Sequence, residues 1–338
     1  MKAMIFAAGL GTRLKPLTDT MPKALVPVCG QPLLYHVLTK LVASGYDDIV
    51  VNVHHFPDQI IDFLRSHDFG VRIAVSDERD FLRETGGGIR FAQGLLTDFS
   101  TPPSAPLEMT KGTPSSSPLE MTKGASSSSQ LGMTGVTAPS ATLGMSSLEL
   151  RRQDEEGEPC QSGEGGAASR LGGGPLSFRP SEASGEICPS QEPFLVHNVD
   201  IISNLDLRWL REQHRPEALA TLVVSERKTQ RYFLFDEDNR LRGWTNLATG
   251  EVRSPFPDID PAKCRKLAFA GIHLISPEIF PAFGQFGFGD RFSIVDFYLK
   301  ACAEYPIYGV VPNDFRMVDV GKKETLSEAE RVCEAILR

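Results

Sequence analysis

Six cysteines are scattered along the 338 residues without one Cys-x-x-Cys pair, which removes the usual structural zinc site and suits a reducing compartment. Positive charge is also scarce. With 35 Lys and Arg against 43 Asp and Glu, the net charge is −8. No basic field is available to displace counterions from a nucleic-acid backbone, so any anionic ligand must be held by local charges. No apolar run reaches membrane-spanning length, and the first one is broken at Gly9 without the shape of a signal peptide. The seven histidines lack metal-ligand spacing, and adjacent His54 and His55 read as structural. The expectation is a cytoplasmic protein, monomer or homodimer, that meets neither membrane nor nucleic acid.

Two well-known phosphate loops are missing as well. A dinucleotide fingerprint needs a third glycine where this chain has Leu14, and the Gly-Lys-Ser/Thr of a Walker loop is absent. What is present is a short apolar run, Ala3 to Ala8, too brief for a helix and stopped by glycine, which predicts a buried parallel strand. Gly9 and Gly11 have no Cβ, so their amides can come close to a phosphate, and Thr12, Arg13 and Lys15 add a hydroxyl and two cations. That chemistry suits a nucleoside triphosphate, although the residues alone also allow an ordinary strand exit with solvated charges.

The whole run, Gly9-Leu10-Gly11-Thr12-Arg13-Leu14 followed by Pro22-Lys23, resembles the signature of the sugar-1-phosphate nucleotidyltransferases, the pyrophosphorylases that make nucleotide sugars. The resemblance implies Ala8, Gly9, Gly11 and Thr12 around the nucleotide, with Arg13 and Lys23 as the catalytic cations. It also implies a Rossmann-like, glycosyltransferase-A-like fold.

Along the chain the pattern agrees with that fold. Leu33, Leu34, Val37, Leu38, Leu41 and Val42 predict a helix stopped at Gly45, Ile49 to Val53 a strand, Ile60, Ile61 and Leu64 a helix, and Val71 to Val75 a strand. Such alternation predicts an α/β, doubly wound, mostly parallel sheet with helices on both faces. Glu84-Thr85-Gly86-Gly87-Gly88 then leads into a helix. Read alone it is a flexible turn; the resemblance implies that Gly86 and Gly87 touch the nucleobase.

Residues 100–192 break the pattern. They hold one aromatic, Phe178, among Ser, Gly, Pro, Thr and Glu, and cannot bury enough apolar area to offset ordering entropy. Pro106-Leu107-Glu108-Met109-Thr110-Lys111-Gly112 returns at Pro118, a period of twelve residues, too short for a solenoid unit. The expectation is a disordered insertion between a nucleotide-binding part, 1–99, and a part for sugar phosphate and metal, 193–338.

The second part opens with Phe194 to Asp200, a buried strand ending in an acid. Asp200 could cap a helix starting near Leu205; the resemblance makes it a magnesium ligand, with Asp319, in a last strand expected over Phe315 to Gly321, as its partner. Gly271 is either a close-packed strand glycine or, by the resemblance, a sugar-facing one, and Glu226 stands where relatives place a sugar contact. Ser293 predicts a helix cap, and Leu326, Ala329, Val332, Cys333 and Ile336 a closing amphipathic helix.

The expected reaction joins a nucleoside triphosphate, UTP or GTP favoured, to a sugar-1-phosphate with Mg2+ as cofactor, as in cell-wall or polysaccharide precursor synthesis. Within the family the compact build looks most like the N-acetylmuramate-1-phosphate uridylyltransferases, then the mannose-1-phosphate guanylyltransferases. Two other readings stay open: a non-catalytic, nucleotide-sensing or scaffold relative, and a cytidylyltransferase acting on a phosphocholine-like alcohol.

Overall fold

The apolar run after Met1 forms β1 (Lys2–Phe6), in which Ala3, Met4 and Ile5 are wholly buried. The structure, a computed structural model, describes residues 1–97, 108–110, 192–321 and 323–337. Three single 3-10 turns follow β1, then a small hairpin of β2 (Pro27–Val28) and β3 (Gln31–Pro32). Helix α1 (Leu33–Ala43) buries Leu33, Leu34, Val37, Leu38 and Leu41, and ends before Gly45 at φ +87°. The alternation continues through β4 (Asp48–Val53), α2 (Pro57–Ser66), β5 (Arg72–Asp77), α3 (Glu84–Phe91) and α4 (Gln93–Thr97). A short strand, β6 (Glu108–Thr110), falls inside the segment expected to be disordered and pairs in parallel with β5. The other repeat copies lie outside the described residues.

After that segment come β7 (Phe194–Asn198), β8 (Ile201–Ser203), α5 (Leu207–Glu212), β9 (Ala220–Ser225), β10 (Arg231–Phe235), β11 (Leu241–Asn246), β12 (Glu251–Arg253) and β13 (Arg265–Ile275). The chain closes with α6 (Ile279–Gln285), α7 (Ile294–Ala301), β14 (Ile307–Val310), β15 (Met317–Asp319) and α8 (Leu326–Leu337). The Ser293 hydroxyl caps α7 by accepting from Val295 N (3.2 Å).

Strand β1 lies between β4 and β7 and runs parallel to both, so stretches far apart in sequence meet at the centre of the sheet. On one side the order β7-β1-β4-β5-β6 is parallel throughout. On the other it is mixed. Strand β13 is antiparallel to β7, β9 is antiparallel to β13, and β10 to β12 meander from the early half of β13. A helical crossover forces parallel pairing, but β13 is reached from β12 through a loop, so nothing imposes one direction.

Successive residues of β1 face opposite ways. Ala3 and Ile5 join a core with α1, α2 and α8, whereas Met4 joins one with α3, α6 and α7. The site therefore rests on a sheet packed on both faces. Among the described residues no helix is long and apolar enough to cross a membrane.

Candidate active site

Phe6, Asn52 and Asn198 stand at the carboxyl ends of three adjacent parallel strands and line one cavity of about 400 Å³. That edge is where open α/β sheets bind ligands, and the volume suits a small molecule. Its other walls come from Ala7, Ala8 and Gly9 after β1, from Leu82, Glu84 and Thr85 before and in α3, and from Val199, Asp200, Ser293 and Lys23. Among these residues only Lys23 carries a positive charge.

The loop after β1 folds back on itself. Gly11 sits at φ +64°, and a Cβ there would come within 2.8 Å of Thr18 Cγ2 and 3.1 Å of Lys23 Cβ. Only glycine fits that turn. The Thr18 hydroxyl and Leu14 N–H both donate to Gly11 O at 2.8 Å, and the fully buried Leu14 anchors the loop in the core. These contacts lay Lys23 against the sheet, where its Nζ makes an ion pair with Asp200.

Asp200 is free for that pair because Asp206 caps α5, accepting from Arg208 N (2.8 Å) and Trp209 N (3.3 Å). Asp319 ends β15, the antiparallel partner of β8, and Val320 N–H donates to Asp200 O (2.8 Å). A Cβ on Gly321 would lie 2.5 Å from Asp319 Oδ1 and 2.8 Å from Arg13 Nη2, so the absent side chain lets Arg13 settle beside Asp319. Of the two cations and two acids singled out in the sequence, Lys23 and Asp200 form an ion pair on the cavity wall, whereas Arg13 lies near Asp319 without pairing with it and neither of these two lines the cavity. Asp319 Oδ1 is buried and has no hydrogen-bond partner among the described residues. A carboxylate oxygen left in that state is a hard donor of the kind Mg2+ takes, but among the described residues no three acids, histidines or cysteines gather around one point to hold a metal ion.

Other candidates sit differently from the sequence expectation. Ala8 and Gly9 line the cavity, but Gly11 and Thr12 shape the loop behind it. Gly86 and Gly87 are turned away. Their N–H groups donate to Phe292 O (2.9 and 3.2 Å), and their missing β-carbons make room for the Phe292 ring and for Asp290 O, both at 2.2 Å. The correction is that these glycines seat α3 against the segment before α7, while Glu84 and Thr85 face the cavity. Gly86→Ala is expected to force that segment outward and to cost about 1–3 kcal/mol in stability, read from chemical denaturation.

Gly271, at φ +75° in a register shift of β13, would crowd Asn198 Nδ2 at 2.6 Å if it carried a Cβ. It supports Asn198, which lines the cavity, and does not line it itself. Glu226 is exposed in the loop after β9 and is not brought to the cavity. Asn52 and Asn198 were missed in the sequence because each sits inside or at the end of an apolar run that reads simply as a strand. A polar residue at a buried strand end was the available signal.

Comparison with known proteins supplies the remaining observation. Residues 2–102 match the nucleotidyl transferase family. Over 97 residues the chain is 50% identical to the N-acetylmuramate alpha-1-phosphate uridylyltransferase of Caulobacter vibrioides, covering 28% of this chain and 40% of that one. It is 38% identical over 104 residues to the mannose-1-phosphate guanyltransferase of Eremothecium gossypii, covering 30% and 28%. The matched stretch therefore spans less than half of these relatives. The crystal structure of HddC from Yersinia pseudotuberculosis complexed with GMP-PN is similar in fold across 98% of this chain and 99% of its own, with a TM-score of 0.56 and 16% identity. Strand β1, its loop, Lys23, β4, β5 and α3 all belong to the matched segment, whereas Asp200 and Asp319 lie beyond it.

Proposed function

We propose that this chain is a sugar-1-phosphate nucleotidyltransferase, joining a nucleoside triphosphate and a sugar-1-phosphate into a nucleotide sugar and pyrophosphate. The observation that carries the reading is Lys23, the cation on the cavity wall, held by Asp200 at the carboxyl ends of the parallel strands. In the reaction an oxygen of the sugar-1-phosphate attacks the α-phosphorus in line. A phosphorus–oxygen bond forms, the bond to the β-phosphate's bridging oxygen breaks, and its electron pair leaves with pyrophosphate. Both substrates are anions, so positioning and charge neutralisation supply most of the acceleration.

Lys23 would meet the α-phosphate, and Arg13 the departing pyrophosphate. The Ala8 and Gly9 backbone would lie along the phosphates, with Glu84, Thr85 and Leu82 forming the opposite wall. Asp200 and Asp319 would hold Mg2+, which when bound supplies compensating charge to the phosphate oxygens. The identity with the uridylyltransferase favours UTP, and the guanyltransferase relatives keep GTP next.

A pyrophosphate-release panel of four nucleoside triphosphates against several sugar-1-phosphates and phosphocholine tests this. Turnover is expected with UTP or GTP and one sugar-1-phosphate, and only in the presence of divalent cation. Silence across the whole panel would favour a nucleotide-sensing or scaffold role, and release only with CTP and phosphocholine would favour the cytidylyltransferase.

A further inference from the structure

Two buried side chains, Asn52 on the cavity lining and Glu78 behind it, remain without a role in that chemistry. Asn52, in β4, is 2% exposed, and Glu78, just after β5, is fully buried. Asn52 Oδ1 accepts from Ala7 N (2.8 Å) and Ala8 N (3.3 Å), the first amides of the loop after β1. Its carboxamide orientation follows, and Nδ2 donates to Glu78 Oε1 (2.9 Å). The other carboxylate oxygen, Oε2, accepts from Arg83 N (3.3 Å), the residue preceding α3. Glu78 is itself held through its backbone, its N–H donating to Val53 O (2.8 Å) and its carbonyl accepting from His54 Nδ1 (2.7 Å).

These bonds form an unbroken relay from the loop on one wall of the cavity to the start of α3 on the other. Gly88, the third glycine of its run, is what allows it. A Cβ there would come within 3.0 Å of Glu78 Oε1 and 3.2 Å of Asn52 Nδ2. A carboxylate this deeply buried is costly unless each of its oxygens has a donor, and burial pushes its pKa up against the hydrogen bond from Asn52 and the charge of Arg83.

We propose that Asn52 and Glu78 are positioning residues for the nucleotide, setting the separation of the two cavity walls by fixing the Ala7–Ala8 amides and the Arg83 amide at once. The proposal rests on the nucleotidyltransferase reading for its kinetics but not for its geometry. Hydrogen-bond polarity supplies the test. Asn52→Asp turns an acceptor towards the Glu78 carboxylate, and Glu78→Gln sets a donor against either Asn52 Nδ2 or Arg83 N, so each single change leaves one bond unmade. The double variant N52D/E78Q reverses the central bond: the introduced carboxamide donates through its nitrogen to the introduced carboxylate, and its oxygen still accepts from Arg83 N.

Each single variant is expected to raise KM for the nucleotide by about tenfold to a hundredfold, with KM for the sugar phosphate unchanged. The double variant is expected to return within about threefold of wild type. Amide hydrogen exchange at Ala7 and Ala8 should quicken in both single variants and slow again in the double, whether or not the wild type turns over. Failure of turnover in the wild type would thus sink the transferase reading while the exchange data still decide the relay. Single variants with wild-type KM and exchange, or a double variant whose defects multiply, would overturn the proposal.

Discussion

Lys23→Ala is expected to lower kcat by about a thousandfold or more, because charge clamps on a transferring phosphoryl group carry factors of that size. Both partners of the Lys23–Asp200 pair are largely shielded from water, at 11% and 17% side-chain exposure. Removing the lysine therefore does two separable things. It deletes the cation on the cavity wall, and it leaves a carboxylate in a site built around a counter-charge, at a cost of about 1–3 kcal/mol. Adding Asp200→Asn to Lys23→Ala should restore much of the melting temperature, since a neutral amide tolerates the vacant position better, yet turnover should stay low. Wild-type pyrophosphate release from Lys23→Ala would refute the assignment. A double variant no more stable than the single would refute the electrostatic account of the pair.

The second large effect is acid lability. His197 in β7 and His273 in β13 are each 1% exposed on neighbouring strands. Burial lowers the pKa of His197 to about 4, helped by the charge of Lys40, and that of His273 to about 3, helped by His197. The unfolded chain protonates both near 6.5, while the folded chain resists until well below that. Their contribution is thus complete above pH 6.5 and is lost as pH falls towards 4 and 3. At pH 4.5 two units of mismatch at each ring amount to about 5 kcal/mol together, comparable with the stability of an ordinary domain. Glu78 works the other way, since its raised pKa adds stability as pH falls, and it trims the loss. Denaturant midpoints between pH 7.5 and 4.5 should fall steeply for wild type and less steeply for the variant H197Q/H273Q. Parallel profiles for the two would contradict this origin.

Much of the site was legible because its residues sit at ends of local patterns. A six-residue apolar run that stops at glycine reads as a strand feeding a loop, and Arg13 and Lys23 follow it within the same stretch. Asp200 and Asp319 likewise end apolar strands. The triple glycine misled because glycine signals close approach without saying of what; at Gly86 and Gly87 the approaching group is the Phe292 segment. Gly271 was ambiguous for the same reason, and its neighbour proves to be Asn198. Glu226 was placed by analogy of position along the chain, and a loop after an edge-ward strand has no pattern that fixes where it points.

By itself the sequence determined the strand and helix alternation, the two-faced core, the cationic glycine loop and the acids that end β-strands, since each depends on side-chain periodicity or on backbone freedom within a few residues. The tertiary structure alone decided that β13 runs antiparallel beside β7, that Lys23 meets Asp200 across 177 positions of chain, and that Asn52 and Glu78 join the cavity walls. Those pairings arise when distant segments share one buried volume and every polar group inside it must find a partner, a condition that no local pattern encodes.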